Sequence, residues 1–456
     1  MSKTKKVLQQ LRDFESRNIL FVEGDGSWPI VWERARDVYV WDVNGKKYLD
    51  LTAAFGVATA GHANPRVVKA GQRQLARLPH AMGDVHPHAR KAELARELSR
   101  ITFERWSRFR KDELHESQKS MVRTKSGTRI TRPSGKVIFS NSGFEAVESA
   151  LKTAMLAMGK QGVIAFSGAY HGLGYGALNV THRDFFRGPF YNQLREFGHF
   201  IPFPSKAGDL AAVEWAVGRL LRRERIGAIL VEPVQARGGI NVPPKVFLPM
   251  LRKLCDEHGV LLILDEIYTG FGRTGKWFAC EHTGVVPDLI CLGKALTGGF
   301  PLSACVGRAD LMDAAWPESR GEAIHTSTFL GNPVGCAMAL AQIEEIRRLN
   351  LCRRSAELGE FLLDALGSLR IPQSALRLSI RGLGLMAGVE LQLPDGKPAT
   401  EAAMRVVKKM LRQGFILLPE GEHANVISFT PPLTITKAQL AKTINALAEI
   451  LNTDKH

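Results

Sequence analysis

A chain of 456 residues with 45% hydrophobic and 23% charged residues has an ordinary globular composition and is too long for one simple core. No run of about 18 apolar residues is present, which excludes a helical membrane span. The net charge of +16 raises nucleic acid as a possible class of partner.

The basic start Met1-Ser2-Lys3-Thr4-Lys5-Lys6 is not followed by the apolar core of a secretion signal, so a cytoplasmic setting is expected. Val38–Asp42 and Lys46–Asp50 flank Val43-Asn44-Gly45, which predicts a hairpin. His86-Pro87-His88 has no third ligand pattern nearby and reads as a loop, so no metal is expected. From Arg105 to Lys136 there are ten Lys and Arg against three acids, a balance of +7. That stretch is poor in aromatic residues on which bases stack, so a solvated surface loop is expected there, or else binding to an anionic surface, and nucleic acid is not.

Short apolar runs follow at Val137–Phe139, Val163–Phe166, Ala228–Val231, Leu261–Leu264, Leu289–Leu292 and Ser303–Val306. Continuous runs of this length suit strands covered on both faces, as in a parallel sheet. Helical patterns lie between some of them, over Glu145–Met158 before Gly159 and Val246–His258 before Gly259. The six cysteines all lie in the second half without a CxxC pair, so buried reduced thiols are expected. The last 120 or so residues mix helices with short strands such as Leu385–Leu391. The expected fold class is α/β: a large domain, 71–330, with a mostly parallel sheet and helices on both faces. A smaller α+β domain is expected from both chain ends, 1–70 and 331–456.

Asp265 and Lys294 each stand where an apolar run ends, and in open α/β sheets ligands bind at the carboxyl ends of strands. A carboxylate and an amine brought together there form either a salt bridge or a site for pyridoxal 5′-phosphate (PLP). That cofactor needs a lysine to form an imine and a carboxylate to keep its ring nitrogen protonated. Ser142-Gly143 turns a strand into a helix, leaving free N–H groups where a phosphate binds favourably. Tyr170, in Gly168-Ala169-Tyr170-His171-Gly172, offers a ring that can stack on a flat heterocycle.

Together with Gly61-His62-Ala63-Asn64-Pro65, Val231-Glu232-Pro233-Val234-Gln235, Asp265 to Gly275, Pro287 to Lys294 and Thr328 to Pro333, these residues resemble the class III aminotransferases. That is the ornithine/4-aminobutyrate aminotransferase family, of PLP fold type I. The 294 − 265 = 29 positions between Asp265 and Lys294 match the family pattern. The resemblance implies that Lys294 holds PLP as a Schiff base and moves the proton, while Asp265 pairs with the pyridine nitrogen. It places Tyr170 and Ile267 on the two faces of the ring. Ser142, Gly143 and the Phe144 N–H form the phosphate cup. Thr328 reaches the phosphate from a partner subunit, which implies a homodimer with shared active sites. Phe55 matches an aromatic position at the substrate entrance. The implied activity is transfer of an amino group from an amino acid or amine to a keto acid, in two half-reactions.

Three departures from the family bear on the site. Tyr268 replaces a glutamine that bonds the cofactor's phenolic oxygen; its hydroxyl can take over that role or point away. Ala236-Arg237 stands where a Gly-Glu is usual, and Ser428 stands where that glutamate's arginine partner is usual. Arg237 is therefore expected to hold a substrate carboxylate, or else to pair with Glu420 or Glu422. The basic stretch 109–136 is longer than the family needs and has no assigned role. The same fold also supports racemases, epimerases and aminomutases. An epimerase would need a proton donor opposite Lys294, such as Tyr170 or Tyr268. The reading from another class, a basic nucleic-acid-binding protein without catalysis, conflicts with the presence of both Lys294 and Asp265.

Overall fold

In the computed structural model, residues 2–24, 26–109, 134–370 and 376–453 are described. The six apolar runs become six of the seven strands in the largest sheet: β4 (Gly135–Ser140), β5 (Gly162–Phe166), β6 (Gly198–Ile201), β7 (Ile226–Val231), β8 (Leu261–Asp265), β9 (Leu289–Leu292) and β10 (Ser303–Arg308). Their order is β4-β10-β9-β8-β7-β5-β6. The strands from β6 through β9 pair in parallel, while β10 runs antiparallel to both neighbours. Apolar content alone does not distinguish these directions, because β10 is almost as buried as β9, which belongs to the parallel set. The seventh strand, β6, lies at the sheet edge and is only partly buried, so it lacks the continuous apolar signature of the others.

Central strands β7, β8 and β9 are buried throughout. Each Leu or Ile hidden there contributes about 1.5–3 kcal/mol, which fixes the strand ends that carry the site. The predicted helices appear as Gly143–Met158 and Phe247–His258. Each stops at a glycine in the left-handed region, Gly159 at φ 60° and Gly259 at φ 61°, where a side chain would be strained.

The chain ends meet in a second sheet. Strands β1 (Trp32–Arg36), β2 (Tyr39–Asp42) and β3 (Lys47–Asp50) form a meander, and β3 pairs in parallel with β13 (Phe415–Ile416). The predicted hairpin turn is held by Asp42, whose Oδ1 accepts from the N–H groups of Asn44 and Lys46, both at 2.9 Å. A third sheet contains β11 (Arg377–Gly382), β12 (Ala387–Gln392), β14 (Leu418–Glu420) and β15 (Val426–Phe429), in the order β11-β12-β15-β14.

Most of the basic stretch 109–136 lies outside the described residues. At its margins Arg105 pairs with Glu281 at 2.9 Å and Lys136 pairs with Asp313. His86 and His88 lie in a loop, and His88 bonds the Gly331 carbonyl through Nε2 at 2.7 Å. Cys255, Cys280, Cys291, Cys305 and Cys336 are buried free thiols, and Cys352 is half-buried and free. Among the described residues no helix is long and apolar enough to cross a membrane.

Candidate active site

Strands β8 and β9 are neighbours and parallel, with Asp265 opposite Cys291. Asp265 and Lys294 therefore both emerge at the carboxyl ends of the strands, one ending β8 and the other opening the turn after β9. Both line a cavity of about 380 Å³, shared with Gly143, Phe144, Tyr170, His171, Glu232, Arg237, Ile267 and Tyr268. Lys294 adopts φ 40°, a left-handed conformation unusual for a lysine and one that surrounding packing must enforce. Burial lowers the Lys294 ammonium below its ordinary pKa, although Asp265, Glu232 and Glu420 pull in the opposite direction. A lysine biased in this way reaches the neutral, nucleophilic form more readily.

Asp265 is held from both sides. Its Oδ1 accepts the Ile267 N–H at 3.1 Å, and its Oδ2 lies 2.8 Å from His171 Nδ1. His171 is in turn fixed by its own N–H, which donates to Thr181 Oγ1 at 2.9 Å. The carboxylate is 5% exposed and the His171 ring is buried, so the pair keeps one orientation in a site of low polarity. Ile267 and Tyr170 supply apolar and aromatic walls. A Cβ on Gly143 would lie 3.0 Å from Ile267 Cδ1, so glycine lets the helix start close to that wall.

The Gly143–Met158 helix points its first turn at the cavity, where N–H groups lack intrahelical partners. Gly143 and Phe144 line the cavity, whereas Ser142 does not. Glu145 accepts from Asn141 N, Ser142 N and Ser142 Oγ, so the Ser142 hydroxyl is engaged locally. His171 Nε2 is buried and unpartnered among the described residues. An anionic helix-binding group, a flat ring between Tyr170 and Ile267, a basic nitrogen for Asp265 and an aldehyde for Lys294 are together the features of PLP. The residues present fit that cofactor.

Other expected residues are more scattered. Arg237 lines the cavity and pairs with Glu420 at 3.4 Å, the local acid that the sequence offers as its alternative partner. Arg183 donates to the Arg237 carbonyl at 2.7 Å, bringing a second guanidinium to this corner. Ser428 is buried on β15 and donates to the Leu418 carbonyl at 3.1 Å. Tyr268 lines the cavity with its ring, 4.7 Å from Lys294 Nζ, but its hydroxyl bonds Thr430 Oγ1 at 3.1 Å. Phe55 is 48% exposed on the Ala53–Gly56 turn, which packs beside Lys294–Leu296. Thr328 is exposed in a turn and does not line this cavity.

Sequence reasoning gave no role to His171, Glu232 or Arg183. The first two lie inside the quoted segments Tyr170-His171-Gly172 and Val231–Gln235, where a polar residue just after a strand end is a usable signal. Arg183 carries no such signal. Glu232 accepts from Tyr170 N at 3.0 Å and Ala236 N at 3.1 Å, and burial pushes its carboxyl up to about 7.

Glu266, beside the site, is also pushed up to about 7 by burial, although Thr269 Oγ1, Ala279 N and Cys280 N all donate to it. A carboxyl with a raised folded-state pKa binds protons more tightly when folded, so its contribution to stability falls as pH rises from about 4.5 to 7. Glu266→Gln removes that dependence. The variant's stability relative to wild type should improve across this window, by at most about 3 kcal/mol. Thermal melts of both apo-proteins from pH 4.5 to 8 read the change; parallel curves would refute it.

Known proteins resemble this chain over most of its length. The family model described as "Aminotransferase class-III" matches residues 21–451. The chain is 36% identical to the 5-aminovalerate aminotransferase DavT of Pseudomonas aeruginosa, covering 92% of this chain and 93% of that one. It is 35% identical to an acetylornithine aminotransferase of Methanosarcina mazei, covering 93% and 92%. An amine transaminase from an uncultivated Pseudomonas species, solved in its PLP-bound form, superimposes with a TM-score of 0.79 at 27% identity, over 96% of this chain and 98% of that one. The strand-end lysine and aspartate, the helix start facing them and these likenesses agree: the chain belongs to the class III aminotransferases and is a PLP-dependent enzyme.

Proposed function

We propose that Lys294 and Asp265 carry the amino-transfer chemistry, and that Arg237 selects substrates bearing a carboxylate remote from the reacting amine. The observation that carries this reading is the emergence of Lys294 and Asp265 from adjacent parallel strands into one cavity. PLP, when bound, supplies the carbonyl that exchanges amines and a ring that withdraws electrons from the reacting carbon. Lys294 would hold the cofactor and, once its amine is free, would serve as the base that takes the proton from the donor carbon. Asp265 holds a proton on the ring nitrogen. The N–H groups of Gly143 and Phe144, which line the cavity as Ser142 does not, would take the phosphate, and Tyr170 and Ile267 would confine the ring between them.

Arg237 lies between Glu420 and the cavity, so a substrate carboxylate competes with Glu420 for it. The 5-aminovalerate for which one relative is named has such a remote carboxylate. Arg237→Ala should raise KM for ω-amino acids or dicarboxylic acceptors by about 10–100-fold, the worth of a charged hydrogen bond, and spare simple amines. Steady-state kinetics on matched substrates with and without the remote carboxylate check this. Equal effects on both would remove Arg237 from the recognition site.

The same reading assigns Thr328 to the partner's site in a cytoplasmic homodimer, and Phe55 to the substrate entrance. The test of the central proposal is the visible spectrum of PLP-loaded protein titrated with amines, without a keto acid. Stoichiometric loss of the band with release of a carbonyl product supports amino transfer. A persistent band while an amino acid loses optical purity or rearranges would instead indicate an epimerase or mutase.

A further inference from the structure

Ala53, Ala54, Phe55 and Gly56 follow one another at φ 46°, 50°, 61° and 78°. Only the last is a glycine. A left-handed conformation costs an L-residue about 1–2 kcal/mol, so three in succession persist only where neighbours over-determine them. The lower support is local. Thr52 N and Oγ1 both donate to Asp50 Oδ1, at 2.8 and 2.6 Å, and Asp50 Oδ2 is 2.7 Å from His62 Nε2. Gly56 N returns to the Thr52 carbonyl at 2.9 Å.

The upper support comes from Tyr268. Thr430 N donates to the Leu51 carbonyl at 2.7 Å, and Thr430 Oγ1 donates to the Thr52 carbonyl at 3.2 Å. A threonine hydroxyl has one proton. With that proton on Thr52, the 3.1 Å contact between Tyr268 Oη and Thr430 Oγ1 requires Tyr268 to be the donor. The tyrosine proton is therefore committed to the turn. The Tyr268 ring also packs on the turn's far end, where a Cβ on Gly56 would lie 3.0 Å from Tyr268 Cε1. Burial pushes the phenol up to about 12, so the hydroxyl stays protonated and able to donate throughout the neutral range. One side chain thus bears on both ends of the strained turn, on Gly56 directly and on Thr52 through Thr430, while its ring forms part of the cavity wall.

We propose that Tyr268 is a positioning residue for substrate size. Through Thr430 and Thr52 it holds the left-handed Ala53–Gly56 turn and thereby fixes Phe55 at the cavity entrance, and it does not hydrogen-bond the cofactor's phenolic oxygen. The inference rests on the assignment of the Lys294 cavity as the active site and of Phe55 to its entrance. It makes this chain's tyrosine, in a position where a glutamine is usual, a specificity determinant acting at a distance.

The experiment uses PLP-loaded full-length Tyr268→Phe, which removes only the hydroxyl. Two quantities are read: the ratio of kcat/KM for a bulky arylalkylamine to that for a short linear amine, and the pH midpoint of the bound cofactor's visible band. Freeing the turn should raise the ratio about 3–10-fold, within the range of one neutral hydrogen bond, and leave the midpoint unmoved. In a Phe55→Ala background, the same substitution should leave the ratio unchanged, because its effect is transmitted through Phe55. A shifted midpoint with an unchanged ratio would place the hydroxyl on the cofactor and overturn the proposal. So would an unchanged ratio alone, or a change that persists without Phe55. Wild-type protein that binds PLP without processing either amine would show that the active-site assignment itself has failed.

Discussion

Lys294→Ala should abolish amino transfer, with a loss of at least about 10⁴-fold in turnover, the upper end of what one acid–base group supplies. Two functions are lost together. On the proposed roles, the amine that would hold the cofactor covalently disappears, and so does the base for the donor-carbon proton. No other lysine lines the cavity among the described residues, and the nearby arginine, Arg237, does not become a nucleophile at working pH. The lowered pKa of Lys294 gives the wild type a readily available neutral amine, an advantage that an external amine does not reproduce. Borohydride reduction followed by intact mass measurement separates the two functions. Wild type should gain the mass of the cofactor less the water lost on imine formation plus the two hydrogens added on reduction, and the variant should not. Turnover within about a hundredfold of wild type would move the chemistry elsewhere, because it falls far short of the expected loss.

The central strands were legible because burial on both faces leaves continuous apolar runs, as at Leu261–Leu264 and Leu289–Leu292. The half-buried edge strand β6 has no such run, and the direction of β10 leaves no trace in its composition. Pairing between Leu49 and Phe415 is set by tertiary packing across almost the whole chain, beyond the reach of local patterns. The site divides in the same way. Asp265 and Lys294 could be found because each ends an apolar run at a fixed separation. The role of His171 depends on Asp265, 94 positions away, and the orientation of Tyr268 depends on Thr430, 162 positions away. Arg237 carried two readings in the sequence. In the structure its guanidinium both meets Glu420 and faces the cavity, so the ion pair is compatible with carboxylate binding by competition.

Asp265→Asn should lower kcat/KM by about 10²–10³-fold, a loss comparable to removing a preorganised electrostatic contact at a reacting centre. The substitution is nearly isosteric. The amide oxygen can still accept the Ile267 N–H that Asp265 Oδ1 accepts at 3.1 Å, so the β8 end should keep its shape. What disappears is the negative charge, in a position only 5% exposed, where solvent screens it weakly. A neutral amide does not favour a protonated ring nitrogen over a neutral one, and the ring then withdraws fewer electrons from the reacting carbon. His171 adds to the effect. Its Nδ1 lies 2.8 Å from Oδ2, and an amide N–H2 in that place must meet a ring nitrogen acting as acceptor, which reverses the histidine tautomer. Asp265→Glu is the control. It restores the charge at the end of a longer arm that misfits the Ile267 N–H, and its activity should fall between the other two. Single-turnover rates at saturating PLP separate this loss from weaker cofactor binding. If Asp265→Asn stayed within about tenfold of wild type, the carboxylate would have no electrostatic role in the reaction and would serve only to fix β8 and His171.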